Sequence, residues 1–472
     1  MGDDDGVFHG QLQFEIARTS AGAAPCARSR REGEFSASLA NMNLRSLLAL
    51  LLWLCSVPAA WAAAAAGMEN GDPVRQFYQQ RQDVLAWSGD AKATAHAQQA
   101  LAVLSRAASE GLDPANYRTS RDGDDRAAND ASLSRALLAY MRDVSTGRPE
   151  LRTVDSDIGL QTRSPDFVAM LEDALRRDRL VEMLESLAPR HPEYLALKAA
   201  LPTSGDKSDI VLANMERWRW LPVELEPDRI VVNAAAAQLE LWLAGKLVLT
   251  SRVIVGRPSS PTPMLRAEGA GITVNPSWTI PHSIAAKEIL PKLKRNHAWL
   301  ASHDMVLLNG PPGDPQGLQV NWRAVPRGTF PYQIRQYPGP RNPLGRLKLE
   351  LPNRFDVYLH DTPEKAAFGR SARQLSHGCV RVEQILPLAS YALAADLSAM
   401  ERITAAIGSG ETSFLPLQKK LPVYFLYWSA VSNPEGGLKF YPDVYGRDRR
   451  LIAAMRAKEI RMASVMAPCT RG

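Results

Sequence analysis

The chain has 472 residues, 45% of them hydrophobic and 22% charged, with a formal net charge of +6 and four cysteines. That is ordinary globular composition, enough for two or three domains, and it excludes a disordered chain, a collagen-like polymer and a disulfide-built scaffold. No cysteines are spaced as zinc ligands, and the mild positive charge suits an acidic polymer without the dense basic footprint of a nucleic-acid binder.

Residues 1–41 carry no helix or strand period. Met42-Asn43-Leu44-Arg45 follow, then an apolar run through Cys55, then Ala60-Trp61-Ala62. A short basic region, an apolar stretch and a small-x-small site form the layout of a secretory signal, with an uncleaved membrane anchor as the alternative. Residues 1–62 are therefore expected to be an upstream extension plus signal peptide, with translation starting at Met42. The expected compartment is the periplasm. Export would leave Cys379 and Cys469, and Cys469 lies in a polar tail expected over 451–472.

From 70 to 205 the periodicity predicts a helical domain. FYQQRQDVLAWS, TAHAQQALAVLSRAASEGLD and SLSRALLAYMRDVSTG repeat apolar residues every three or four positions. Ser164, followed by Pro165, is a candidate helix cap. His96 and His191 are expected on helix surfaces or turns.

LPTSGDKSD (201–209) reads as a linker, and NMERWRWLP (214–222) as the opening of a region of short β segments. RIVVNAA, QLELWLAGKLVLTSRVIVG, FDVYLHD and PVYFLYWSAV alternate or run β-branched. IAAKEILPKLKRN and EQILPLASYALAADL return to helical spacing. The fold class is α+β, a mainly β domain over 210–450 behind a helical domain.

The chemistry concentrates over 355–382. Phe355, Val357 and Leu359 alternate with Asp356, Tyr358 and His360 as in a strand. Residues 361–375 then lead to Ser376-His377-Gly378-Cys379-Val380-Arg381. An imidazole near a thiol can take its proton, and such pairing lowers the thiol pKa to about 3.5–7.5. Gly378 lets backbone approach a substrate, the Gly-Cys amides could face an oxyanion, and Arg381 suits a carboxylate or holds the loop. A buried structural thiol is the alternative.

His360, the gap, then Ser-His-Gly-Cys-Val-Arg resembles the signature of the YkuD-type L,D-transpeptidase catalytic domain. VIVGRP with Thr262-Pro263, NPSW, FPYQIRQYPGPRNPLG, PNRFDVYLHDT, LPVYFLYW and DVYGRD are similar to the large periplasmic branch of that family. FYQQRQDVLAWS with GLDPANY resembles the branch's helical scaffold domain. The chain departs from the branch in two places. TSGDKSDIVLA leaves no room for its usual peptidoglycan-binding module, and Pro343 stands where the family often has Ala.

The resemblance implies a β-sandwich with a helical lid inserted over about 282–344. It implies Cys379 as nucleophile and His360 as general base. His377, Ser376, Gly378 and Arg381 would support them, and Tyr358 and Trp278 would line the cleft. His282, His297 and His303 would be lid-surface residues. The implied reaction forms a 3→3 cross-link between peptidoglycan stem peptides. The implied partners are those stems and, as candidates, other cell-wall synthesis enzymes, without nucleic acid, metal or cofactor. Hydrolysis as an L,D-carboxypeptidase, attachment of another amine to the stem, and non-catalytic wall binding are the alternatives.

Overall fold

The computed structural model describes residues 71–120, 123–393 and 397–466. The apolar run with Cys55, the cleavage site and Cys469 lie outside them.

The helical region begins with α1 (Pro73–Gln80), α2 (Ala91–Ser105), α3 (Arg126–Thr146), α4 (Phe167–Arg176), α5 (Leu180–Glu185) and α6 (Pro192–Ala200). Aspartates start four of these helices. Asp72, Asp90, Asp125 and Asp166 each accept a first-turn amide, satisfying donors that a helix start leaves unpaired. Asp166, not Ser164, therefore caps α4; its carboxylate reaches Ala169 N at 3.0 Å. Phe77, Tyr78, Leu137, Met141 and Leu171 form the fully buried centre. A polar node lies within it, where Asp130 accepts from Ala86 N, Trp87 N and the Tyr78 hydroxyl.

Of the two histidines expected on helix surfaces or turns, one is buried. His96 is 4% exposed and its Nε2 meets Asp178 at 2.7 Å. His191 caps α6 and stacks on Trp218 at 4.2 Å, and burial pushes its imidazole down to about 4. His96 sits on a helix face covered by neighbouring elements, which local periodicity does not reveal; His191 is half-buried at its turn.

The expected linker is also structured. Short 3₁₀ turns at Leu201–Thr203 and Gly205–Lys207 run directly into α7 (Ser208–Arg219). NMERWRW is thus the buried end of a helix rather than the start of a β region. Its charges are neutralised in place. Arg217 pairs with Asp448 at 2.6 Å, and Glu216 accepts from Arg219 at 2.7 Å and Arg148 at 3.2 Å. A helix covered on both sides must pair its ions internally, so alternation of Arg and Trp carries no strand period here.

The strands are β1 (Ile158–Gly159), β2 (Arg229–Asn233), β3 (Gln238–Leu243), β4 (Lys246–Gly256), β5 (Met264–Val274), β6 (Trp278–Thr279), β7 (Met305–Leu307) and β8 (Ile334–Gln336). They continue with β9 (Leu347–Glu350), β10 (Leu359–His360), β11 (Gln374–Ser376), β12 (Val380–Val382), β13 (Ser413–Leu426), β14 (Ala430–Ser432) and β15 (Leu438–Phe440). The main sheet runs β1-β5-β13-β2-β3-β4-β12-β10-β9, and β9 pairs back onto β5. The two layers expected of a sandwich are therefore joined into a closed ring. β1 comes from the helical half of the chain and adds in parallel to β5.

Val253, Val255, Leu359, Val380, Val423 and Phe425 fill the ring's core. α8 (Ile385–Leu393) and α9 (Leu397–Ser409) contribute Leu388 and Ile403 to it. A further helix, Arg447–Met466, occupies most of the stretch expected as a tail and puts Leu451 and Met455 into the same core.

The lid has its own core. β6, β8 and β7 form a three-stranded antiparallel sheet, packed with the helix Leu290–Arg295 around Leu293, Leu300, Trp322 and Ile334. Its sheet begins at Trp278, upstream of the expected start at 282. His282 and His297 are exposed; His303 is half-buried, stacked on Trp299 at 4.0 Å.

Candidate active site

β10 and β12 place the chemistry. They pair in parallel, with Leu359 opposite Val380 and His360 opposite Arg381. Val380 N donates to the Tyr358 carbonyl at 3.0 Å, extending the register to Cys379. Side chains two apart in a strand share a face. Tyr358 and His360 therefore lie on one face with Cys379 and Arg381. Leu359 and Val380, both fully buried, turn into the core.

The expected strand 355–360 is mostly a turn. Asn353 accepts from Phe355 N and Val357 N, and Asp356 has a φ of 51°. Left-handed backbone at a non-glycine residue is uncommon and costs free energy. Here it aims the Asp356 carbonyl at the thiol, which donates to it at 3.5 Å.

The Ser376–Cys379 turn is held from inside. Ser376 donates to the Cys379 carbonyl at 2.5 Å and accepts from Gly378 N at 3.1 Å. Gly378 has a φ of 119°, which an L side chain rarely adopts. Its N–H is spent on Ser376, so the turn does not offer both amides to an oxyanion. The Cys379 N–H meets no acceptor among the described residues.

Thr262, which the sequence offered as a motif letter without a role, ties this turn to the sheet. Its hydroxyl donates to the Gly378 carbonyl at 2.7 Å and accepts from Gly256 N at 2.9 Å. Tyr445 donates to the Gly256 carbonyl at 2.6 Å, and Arg447 to the Thr262 carbonyl at 2.9 Å. The separated motifs VIVGRP-Thr262 and DVYGRD thus meet behind Gly378.

His360 is 5% exposed. Burial pushes its imidazole down to about 3; Arg381 and Lys348 act in the same direction, against Asp361. The ring bonds to the Asp361 backbone, while Nδ1 is buried without a partner. Burial also raises the Cys379 thiol above its ordinary range. The expected depressed thiol is not found, because desolvation disfavours the thiolate and the imidazolium alike. The resting pair is neutral, with a bare imidazole nitrogen.

Tyr358 and Trp278, both half-buried, are linked. The Tyr358 hydroxyl hydrogen-bonds the thiol and accepts from Trp278. Tyr358 stands edge-on to His360 with ring centroids 5.6 Å apart, and the Lys348 ammonium sits 4.3 Å over its ring. Arg381 pairs with Glu364 at 2.6 Å and so pins the loop between His360 and Cys379. His377 is turned the other way; its Nε2 meets Glu288 of the lid at 2.5 Å.

Two family models match the chain: the scaffold domain over residues 72–201 and the L,D-transpeptidase catalytic domain over 227–404. A curated protein of Haemophilus influenzae is 30% identical over 331 residues, 68% of this chain and 67% of its own length; its L,D-transpeptidase assignment is itself provisional. The chain belongs to the L,D-transpeptidase family. Among solved structures, an L,D-transpeptidase from Mycobacterium smegmatis is 13% identical with a TM-score of 0.21, covering 42% of this chain and 58% of that one. The LdtMt1 enzyme in complex with imipenem is 11% identical with a TM-score of 0.21, covering 42% of this chain and 59% of that one. The catalytic-domain match holds every residue of the candidate site except Tyr445 and Arg447, which brace it from beyond residue 404.

Proposed function

We propose that the chain is an exported peptidoglycan L,D-transpeptidase that forms 3→3 cross-links through a thioester on Cys379. The observation that carries this is the shared face of Cys379, Tyr358 and His360, fixed by the β10–β12 register.

His360 is the general base. The thiol proton passes to its free Nδ1 as sulfur attacks the carbonyl of the third stem residue. The Cys379 N–H and the Tyr358 hydroxyl face the oxyanion that forms. Collapse breaks the peptide bond; the proton goes from His360 to the departing amine of D-Ala. A second stem's amine then attacks the thioester and restores the thiol. A neutral resting pair suits this route, because charge develops only as substrate arrives and the lid excludes water. Gly378 and Ser376 hold the turn, and Arg381 keeps the imidazole neutral.

The signal layout at Met42–Ala62 supports export to the periplasm, with a mature start near Ala63; N-terminal sequencing of periplasmic protein tests that. Incubation with isolated disaccharide-tetrapeptide and mass spectrometry of the products tests the reaction. A cross-linked dimer is expected. Tripeptide alone would make the enzyme an L,D-carboxypeptidase, and no change would leave wall binding without catalysis.

A further inference from the structure

A cleft of about 840 Å³ opens between the end of α3, the segment 147–162 and the turn before β10. Five cations line it, Arg142, Arg148, Arg152, Arg354 and Lys458, against the single carboxylate of Glu150. Three of the five are neutralised from behind. Arg142 and Lys458 pair with Asp143 at 3.0 and 2.8 Å, and Arg148 pairs with Glu216 at 3.2 Å and Glu459 at 2.8 Å. Arg152 and Arg354 are exposed and form no ion pair among the described residues; Arg354 reaches only the Ile158 carbonyl at 3.3 Å and the Phe355 ring.

The wall between these arginines includes the segment that follows β1. β1 ends at Gly159, and Leu160, Gln161 and Thr162 line the cleft; their main-chain groups make no hydrogen bond to another described residue. Unpaired main-chain groups of this kind can take another extended chain. The two uncommitted guanidiniums suit carboxylates.

The cleft is also joined to the thiol. Gly159 lies under Phe355, where an added Cβ would stand 2.5 Å from the ring. Asp356, whose carbonyl meets Cys379 Sγ, is two residues from Arg354. The chain turns here, so the two Cα atoms lie at most about 7 Å apart.

We propose that this cleft is a docking subsite for a carboxylate-bearing peptide strand, which it feeds past Phe355 toward Cys379. The ligand rests on the function proposed above: it is the stem peptide of peptidoglycan, its backbone along Leu160–Thr162 and its carboxylates on Arg152 and Arg354.

The test uses the full chain carrying Cys379→Ala, with disaccharide-tetrapeptide as the probe, titrated by calorimetry. Arg152→Glu with Arg354→Glu should weaken binding about tenfold or more, and added salt should weaken the parent's binding while affecting this variant less. Arg152→Glu alone, at an exposed side chain without an ion pair, should weaken binding in the same direction and guards against misfolding. In a chain that retains Cys379, carbapenem acylation of the Arg152→Glu variant should stay within about twofold of the parent, because that side chain is remote in sequence from the turn that meets the thiol. Unchanged stem affinity in both variants overturns the subsite, as does a glutamate oligomer binding as tightly as the stem. Arginine-dependent binding by a chain that yields no product in mass spectrometry would keep the subsite and overturn the transpeptidase reading.

Discussion

The Nε2 of His377 meets Oε1 of Glu288 at 2.5 Å, joining the Ser376–Cys379 turn to the lid. Glu288 also receives Arg257 at 3.4 Å, so this carboxylate gathers two basic groups of the sheet domain at the lid's first helical turn. The histidine next to the Gly-Cys pair serves lid position, and the histidine distant in sequence shares a face with the thiol.

Removal of each histidine should therefore separate the two roles. His360→Ala is expected to slow acylation of Cys379 by roughly 10²–10⁴-fold, the range for a lost general base. His377→Ala should cost under about tenfold, and Glu288→Gln should mimic it. Iodoacetamide labelling across pH checks the resting state: the wild-type inflection should lie above the ordinary thiol range because burial disfavours the thiolate. An inflection below neutrality would show a preformed ion pair.

Tyr358→Phe removes the hydroxyl that stabilises the thiolate. The labelling inflection should move further up, and acylation by a carbapenem should slow about tenfold. Trp278→Phe, which leaves that hydroxyl without its donor, should shift both in the same direction by less. Stopped-flow acylation of the two variants measures the ordering.

Thr262→Val preserves shape but leaves Gly256 N and the Gly378 carbonyl unpaired. A buried group left without its partner costs about 1–3 kcal/mol. Denaturant unfolding should show a loss in that range, and turnover should fall with it because the Gly378 turn loosens. Thr262→Ser should restore most of both.

Acid should act on His360 and the lid contact separately. His360 stays neutral when folded down to about 3, whereas the ordinary value is 6.5. Its contribution to stability is complete above 6.5 and is lost as pH falls toward the folded value, since the unfolded chain binds the proton first. Burial opposes ionisation of Glu288, yet the His377 and Arg257 contacts outweigh it and hold the carboxyl below its ordinary range. The lid contact is thus present above that range and weakens as pH falls through the folded value. Urea unfolding at pH 7 and 4.5 should show a smaller pH-dependent loss for His360→Gln than for wild type. An equal loss would show that His360 is not the buried neutral group.

How much was legible depends on the range of the interaction. Helical spacing over 77–200 and strand alternation over 229–256 are local, and both appear as elements of those types. The pair His360 and Cys379 was legible because its motif is compact and specific. Lys348 was not: it reaches the site only through the β9–β10 pairing that sets it opposite His360. Thr262, Tyr445 and Arg447 were visible as motif letters, but their meeting behind Gly378 is a contact across nearly two hundred residues.

The sequence by itself determined the α+β class, the residue types of the site and the spacing that brings a thiol and an imidazole within one domain. Those properties follow from periodicity and chemical identity, which each segment carries alone. Only the tertiary structure decided the protonation of the pair, the outward turn of His377 and the burial of His96 and the NMERWRW helix. Each of these depends on which surfaces cover a side chain and which charges face it across the fold. Desolvation and long-range pairing are properties of the assembled core, so no local pattern encodes them.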